Sequence, residues 1–422
     1  MNLENSYIEI LKEELVTALG CTEPLAIAYA AAKGKEVLGC FPEKAVLECS
    51  GNIVKNAKSV VVPNTGGLTG IRASMLAGLV GGNCDKKLEV LSDMTPDHIT
   101  TVKKLLDSDL CEVKLLPTDI NLHLVLQLIA ENEHVTVEIK HAHINICRIT
   151  KNGQVICKND DENKYLGSFI DRAVLSVKGI YEFSNTVPLE KVRDLIEKQI
   201  MYNIGIAEEG LRGNYGVSIG RILLDIGQDD PVRTKIKAYA AAASEARMSG
   251  CVLPVVINSG SGNQGIATSI PVIIYAREKQ VTQDKLYRAL VFSNLLTIHQ
   301  KTMIGRLSAF CGAVSASCSS GAAITYLEGG TLEQIKQTIN NTLANVSGIV
   351  CDGAKPSCAA KIASCLDAAY MSHVLAMNGK SYQAGNGILK GDVEDTIAAV
   401  GRIACNGMRA TDTEIIRIML ES

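Results

Sequence analysis

The stretch Cys351-Asp-Gly-Ala-Lys-Pro-Ser-Cys358 organises the chain. Gly353 and Pro356 force a turn between the two cysteines, and the alanine-rich run beginning at Cys358 has the pattern of a helix. Two thiols therefore stand at a helix mouth, where unpaired backbone N–H groups favour negative charge and lower a thiol's pKa. On these two residues alone, packing, zinc binding and redox chemistry are all open.

Outward from that turn the pattern is helical from Asp160 almost to the end. Segments near 165–181, 187–201, 216–225, 231–248, 283–300, 306–325, 331–345, 357–377, 391–405 and 411–420 carry it. Glycine-rich breaks separate them, notably Ser259-Gly-Ser-Gly-Asn-Gln-Gly265 and Gln383-Ala-Gly-Asn-Gly387. At the other end, Tyr7, Ile8, Leu11, Leu15 and Leu19 recur at helical spacing with Gly20 as terminator. Cys21-Thr-Glu-Pro24 then opens a second helix to about residue 38, so Cys21 also sits at a helix mouth. Residues 45–62 read as a loop followed by a buried strand or short helix. Asn64-Thr-Gly-Gly-Leu-Thr-Gly70 is a turn opening a helix over 71–81, and its freed amides suit a carboxylate or phosphate. No Walker-type Lys-Ser/Thr ending follows, which disfavours nucleotide.

The texture changes near Gly81-Gly82-Asn83. LEVL (88–91), a helix near 95–107, CEVKLL (111–116) and alternating strands near 122–129, 133–140, 143–150 and 154–158 indicate a compact α+β insert. Asn152-Gly153 is a hairpin turn. His141-Ala-His143 is expected to project from one face of a strand, as a solvated polar face in preference to a metal site, and His134 shares the insert. The expected fold is mainly α with an α+β insert. A helical catalytic domain spans 1–82 and 161–422, and a small α+β domain of structural, dimerisation or regulatory role spans 83–160.

Of the 422 residues 47% are hydrophobic, 4% are aromatic and none is Trp, so the core must be built from small aliphatic side chains that let helices approach closely. A net charge of −3 gives no basic surface for nucleic acid. No basic n-region precedes an apolar run, and no stretch is long and apolar enough to span a bilayer. The protein is expected to be soluble and cytoplasmic, without a membrane partner, and to form a homodimer. Fourteen cysteines in a reducing compartment are then not a disulfide framework. Most are small buried apolar residues, and a minority are left to ligate a metal or cluster.

Cys311, in Gly305-Arg-Leu-Ser-Ala-Phe-Cys-Gly312, joins Cys351 and Cys358 as a third thiol near a helix end or glycine kink. Three thiolates match an iron–sulfur cluster with one iron left open, and zinc is the fallback. Taken with Gly20-Cys-Thr-Glu-Pro24, Pro63-Asn-Thr-Gly-Gly67, Ser261-Gly-Asn-Gln-Gly265 and Gln383-Ala-Gly-Asn-Gly-Ile388, these motifs resemble the L-cysteine desulfidase family from about residue 8 to 420. That family is related to the α-chain domain of iron–sulfur L-serine dehydratases. The resemblance implies a [4Fe-4S] enzyme, free of pyridoxal phosphate, that converts L-cysteine to pyruvate, ammonia and sulfide.

Carried onto this chain, the family's characteristic cysteines are Cys21, Cys311, Cys351 and Cys358. The last three are assigned as cluster ligands, and Cys21 as either a displaceable fourth ligand or a thiolate base. Iron on the substrate sulfur would improve the leaving group, and a base must take the α-proton. Lys355 is assigned to catalysis. Asn64, Thr65, Gly66 and Gly67, with Arg306, are assigned to the substrate carboxylate; Ser261, Asn263 and Gln264 to orienting the amino acid; and Glu23 to its ammonium group. Lys301 and His299 read as a helix face, and Cys318, seven residues after Cys311, as packing. The rival readings are an iron–sulfur L-serine dehydratase and a non-catalytic protein that binds an amino acid or cluster and senses redox state.

Overall fold

Small side chains decide how the helices meet. The computed structural model describes residues 3–159, 171–227, 229–305 and 307–421. Its N-terminal part runs α1 (Leu3–Glu14), β1 (Thr17–Leu19), α2 (Thr22–Leu38), β2 (Lys44–Cys49), α3 (Gly51–Ala57), α4 (Gly70–Gly81) and α5 (Pro96–Leu106). The strands β3 (Cys111–Leu115), β4 (His123–Ala130), β5 (Glu133–Lys140), β6 (Ile146–Lys151) and β7 (Gln154–Lys158) follow. The helical part comprises α6 (Val177–Thr186), α7 (Arg193–Arg212), α8 (Ile219–Ile226), α9 (Pro231–Met248), the short β8 (Pro254–Val256), α10 (Gly262–Glu278), α11 (Gln283–Ile304), α12 (Gly312–Leu327), α13 (Leu332–Val346), α14 (Cys358–Met377), α15 (Val393–Arg402) and α16 (Arg409–Glu421). A Cβ at Gly210 of α7 would lie 2.3 Å from the Ala242 carbonyl of α9, and one at Gly78 of α4 equally close to that of Ala28 in α2. Glycine and alanine at these crossings let backbone rest on backbone, as the composition requires.

The six-stranded sheet has the order β3-β2-β4-β5-β6-β7, with β2 and β3 parallel and the other pairs antiparallel. Leu124, Leu126 and Leu128 of β4 and Val135, Val137 and Ile139 of β5 alternate onto the buried face. They press against α2, where a Cβ at Gly34 would meet Leu128 at 2.8 Å. The hairpin at Asn152-Gly153 has both residues at positive φ, as expected of that dipeptide. The sheet is not confined to residues 83–160, because its second strand, β2, comes from the chain before them. Only that strand gives the parallel β3 a partner, so the boundary at 83 divides the chain but not the sheet.

Three local expectations differ. LEVL (88–91) is not extended: a 3₁₀ turn covers Cys84–Glu89, and Leu88, Val90 and Leu91 are buried. His141 and His143 lie in the β5–β6 turn, with His141 at φ 66°, where Asn145 donates to the Lys140 carbonyl at 2.9 Å. Helix α10 lies outside the expected segments because its glycine-rich start and internal Pro271 hide its periodicity. The part of the expected 165–181 helix up to residue 170 lies outside the described residues. No helix among the described residues is long and apolar enough to cross a membrane.

A buried amide network pins β8 and α10 to α7 and α11. Val256 N–H donates to Asn203 Oδ1 at 2.9 Å, and Asn203 Nδ2 donates to Ser269 Oγ at 2.9 Å and to the carbonyls of Val256 and Gly265. Asn258 Nδ2 donates to Asn294 Oδ1 at 2.9 Å, and Asn294 in turn bonds Gln199. These bonds fix the turn between β8 and α10, which forms one wall of the cavity described below. Asn203→Ala strands several of these buried groups and should lower the unfolding free energy by about 2–4 kcal/mol. Urea denaturation would show it as a lower midpoint with an unchanged slope.

Candidate active site

Each cysteine of interest is delivered by a different local device. Gly20, at φ 53° with no room for a Cβ against Pro63, turns the chain so that Cys21 becomes the N-cap of α2. Cys311 is the N-cap of α12, and Cys358 opens α14 behind Ser357. Phe310 and Val350 form an antiparallel bridge, with Cys311 N–H on Ile349 O and Cys351 N–H on Ala309 O. By strand alternation this puts Cys311 and Cys351 on the same face of the bridge. Gly353, at φ 95° with a Cβ position 2.3 Å from the Lys55 carbonyl, folds the turn back so that Cys358 Sγ donates to Gly353 O at 3.5 Å.

All four cysteines line a single cavity of about 810 Å³, counting its open mouth. Ser261, Asn263 and Gln264 form another part of the wall, tied to Cys21's helix by Thr22 Oγ1 donating to Gly260 O at 3.1 Å. Glu23 lines it too, buried and accepting from Cys21 Sγ at 3.0 Å and Thr22 Oγ1 at 3.2 Å. His143 Nε2 faces the other Glu23 oxygen at 3.6 Å. Burial opposes the charge on Glu23, but His143 close by and the hydrogen bond from the Cys21 thiol outweigh it and hold the carboxyl at about 2.

Cys21 departs from the helix-mouth expectation. Burial pushes its thiol well up and the Glu23 charge adds to this, while Arg247 only partly offsets them. The resting proton therefore sits on Cys21 and is donated to Glu23.

Several assigned residues are not on the cavity wall. Asn64 Nδ2 donates to Leu91 O at 3.0 Å, Thr65 Oγ1 donates to Val62 O at 2.7 Å, and Gly66 and Gly67 are exposed, so this turn spends its polar groups on its own fold. Lys355 Nζ pairs with Asp352 at 2.5 Å, beside Lys361 on the same carboxylate, and does not line the cavity. Arg306 lies outside the described residues. Cys318 is buried within α12, away from the wall.

Conversely, Arg247, His143, Lys301 and Asn56 line the cavity without having been assigned to it. Lys301 was read as a helix face, whereas His299 does fit that reading, pairing with Glu394 at 2.7 Å. Arg247 carries no local signal, being one arginine in an alanine-rich helix. His143 was visible as one of a pair, but its burial depends on how the sheet docks.

Three of the four thiols act on one another electrostatically. Charge on Cys351 raises the pKa of both Cys311 and Cys358, behind burial as the main cause, so the three are near neighbours. Yet among the described residues no three His, Cys, Asp or Glu side chains gather closely enough to hold one metal ion.

Cysteines and polar side chains from distant parts of the chain thus share one cavity wall. The chain belongs to the serine dehydratase alpha-chain family, whose model matches residues 85–417; that family is associated with iron–sulfur clusters and lyase chemistry. It is similar along its whole length to a UPF0597 protein of Treponema denticola, 48% identical over 430 residues and covering 100% of both chains. A UPF0597 protein of Desulfitobacterium hafniense is 51% identical over 415 residues, covering 98% of this chain and 96% of its own. One from Lachnoclostridium phytofermentans is 52% identical over 413 residues, covering 98% and 99%.

Two outcomes follow from this geometry. Cys311→Ser, Cys351→Ser and Cys358→Ser should each lose most of the iron and acid-labile sulfide bound on anaerobic reconstitution, while Cys318→Ala keeps the wild-type content. Glu23 has a folded pKa of about 2 against an ordinary 4.5, so the stability it contributes is present above 4.5 and lost as pH falls towards 2. In Glu23→Gln the urea midpoint should depend less on pH across that window than in the wild type.

Proposed function

We propose that the protein eliminates sulfide from L-cysteine, giving pyruvate, ammonia and hydrogen sulfide. The observation that carries this reading is the gathering of Cys21, Cys311, Cys351 and Cys358, from three separate segments, on one cavity beside the Ser261–Gln264 turn. A [4Fe-4S] cluster, held by Cys311, Cys351 and Cys358, supplies when bound a soft Lewis acid for the leaving sulfur. The remaining steps belong to the chain's own groups.

Ser261, Asn263 and Gln264 orient the amino acid, and the ionised Glu23 accepts from its ammonium group. Entry of that cation adds positive charge next to Cys21, in the same direction as Arg247, and so favours loss of the thiol proton to water at the cavity's open mouth, leaving Cys21 as the thiolate. Cys21 Sγ then takes the α-proton, the Cα=Cβ bond forms, and the Cβ–S bond breaks with its electron pair leaving on sulfur. The 2-aminoacrylate released tautomerises to the imine, and water hydrolyses it to pyruvate and ammonia. No electron is transferred to or from the protein. His143 keeps Glu23 ionised and so keeps the ammonium acceptor charged.

A second reading replaces sulfide with hydroxide as leaving group and L-cysteine with L-serine. It is favoured by the serine dehydratase alpha-chain match. Anaerobically reconstituted protein should release sulfide from L-cysteine faster than it forms pyruvate from L-serine, and Cys351→Ala should abolish both. The reverse order of rates favours the serine reading, and iron-loaded protein inert to both favours a binding or sensing role. Cys21→Ala should retain iron and lose about 100-fold or more in rate; loss of iron in that variant instead makes Cys21 a fourth ligand.

A further inference from the structure

We propose that Arg247, lying across the start of α10 at Gly262, forms a carboxylate subsite that restricts the substrate to amino acids with a free α-carboxylate. The inference rests on the lyase reading for the reaction, but the subsite stands on separate observations. Arg247 is 3% exposed, and its hydrogen-bond acceptors are neutral: Asn263 Oδ1 at 3.1 Å and Met248 Sδ at 3.9 Å. Among the described residues no carboxylate lies within ion-pair distance of it, and its Nε is buried without a partner. A buried guanidinium keeps its charge, and leaving it without a close ion-pair partner is unfavourable, so the arrangement favours an anion from outside the chain.

The surroundings show where that anion goes. Arg247 lines the cavity with Cys21 and Cys358. The N-cap of α10, Ser261, makes no side-chain cap, so the first N–H groups of this helix are available beside the guanidinium. A Cβ at Gly262 would stand 2.3 Å from Arg247 Nε, so glycine is what lets the guanidinium rest there. Gln264 Oε1, buried and unpartnered, and the Glu23 carboxylate offer acceptors on the same cavity. Donors for an anion together with acceptors for a cation match the zwitterion of an α-amino acid.

L-Alanine tests this, because it has both charges and nothing to eliminate; L-alaninamide keeps the ammonium and loses the anion. Calorimetric titration of the full-length, anaerobically purified protein should show L-alanine binding about 10- to 100-fold tighter than L-alaninamide, the loss expected for a charge-assisted hydrogen-bond pair. Arg247→Gln should erase the preference, and Arg247→Lys should keep part of it. Gly262→Ala, which pushes the guanidinium aside without removing its charge, should weaken L-alanine binding selectively and carries the test should Arg247→Gln fail to fold.

No binding of L-alanine, no preference in the wild type, or a preference unchanged in the folded variants overturns the subsite. The two readings fail separately. Loss of the Arg247-dependent preference alongside sulfide release from L-cysteine sinks the subsite alone. An intact preference in iron-loaded protein that turns over neither cysteine nor serine sinks the lyase reading alone.

Discussion

Four helices begin at one cavity. Helices α2, α10, α12 and α14 start at Thr22, Gly262, Gly312 and Cys358, and their N-caps Cys21, Ser261, Cys311 and Ser357 make no side-chain capping bond. Each start carries roughly half a positive charge. Gathered together they repel one another unless anions occupy the space between them. Thiolates, a cluster and a substrate carboxylate are such anions, so the electrostatics of the fold select the contents of the site before any single side chain does.

Holding four such ends together needs rigid support, and the buried polar residues supply it. The Gln199–Asn294–Asn258 chain and Asn203 fasten the β8–α10 turn. A Cβ at Gly312 would meet the Gln264 side chain at 2.7 Å, so α12 starts directly against the wall formed by that turn. The sheet closes another side by delivering His143 to Glu23. On the far side the C-terminal helix α16 docks on α3 through Lys55 and Asp412, 2.6 Å apart, and Ile416 fills the hollow beside Gly51. Burial has a chemical consequence as well. It pushes up the thiols of Cys311 and Cys358, so they hold their protons until a metal displaces them.

The helices with regular spacing, the Asn152-Gly153 hairpin and the placement of Cys21 and Cys358 at helix starts were legible because each depends on neighbours within one or two turns, whereas the helix expected over 306–325 begins only at Gly312, which makes Cys311 its N-cap. The same locality misled at the Asn64–Gly67 turn. Its glycines promised free amides, but tertiary packing directs Asn64 to Leu91 and Thr65 to Val62. Lys355 looked catalytic by sequence proximity, yet a turn points its side chain to Asp352. Helix α10 went unread because Pro271 and a glycine-rich start disrupt the local pattern, while burial along nearly its whole length holds it in place.

By itself the sequence determined that small residues would build a mostly helical core, that a β-rich segment would interrupt it, and that four cysteines would open or adjoin helices. Only the tertiary structure decided that those helix starts face one another, that β2 completes the sheet, and that Arg247 and His143 turn inward. The reason is physical. Capping, turns and periodicity are properties of a few adjacent residues, whereas burial and charge pairing are set by groups far apart in the chain. Cys21 shows the division most sharply: its position at a helix mouth follows from Gly20 and Pro24, but its protonation is set by Glu23, Arg247 and the burial that brings them together.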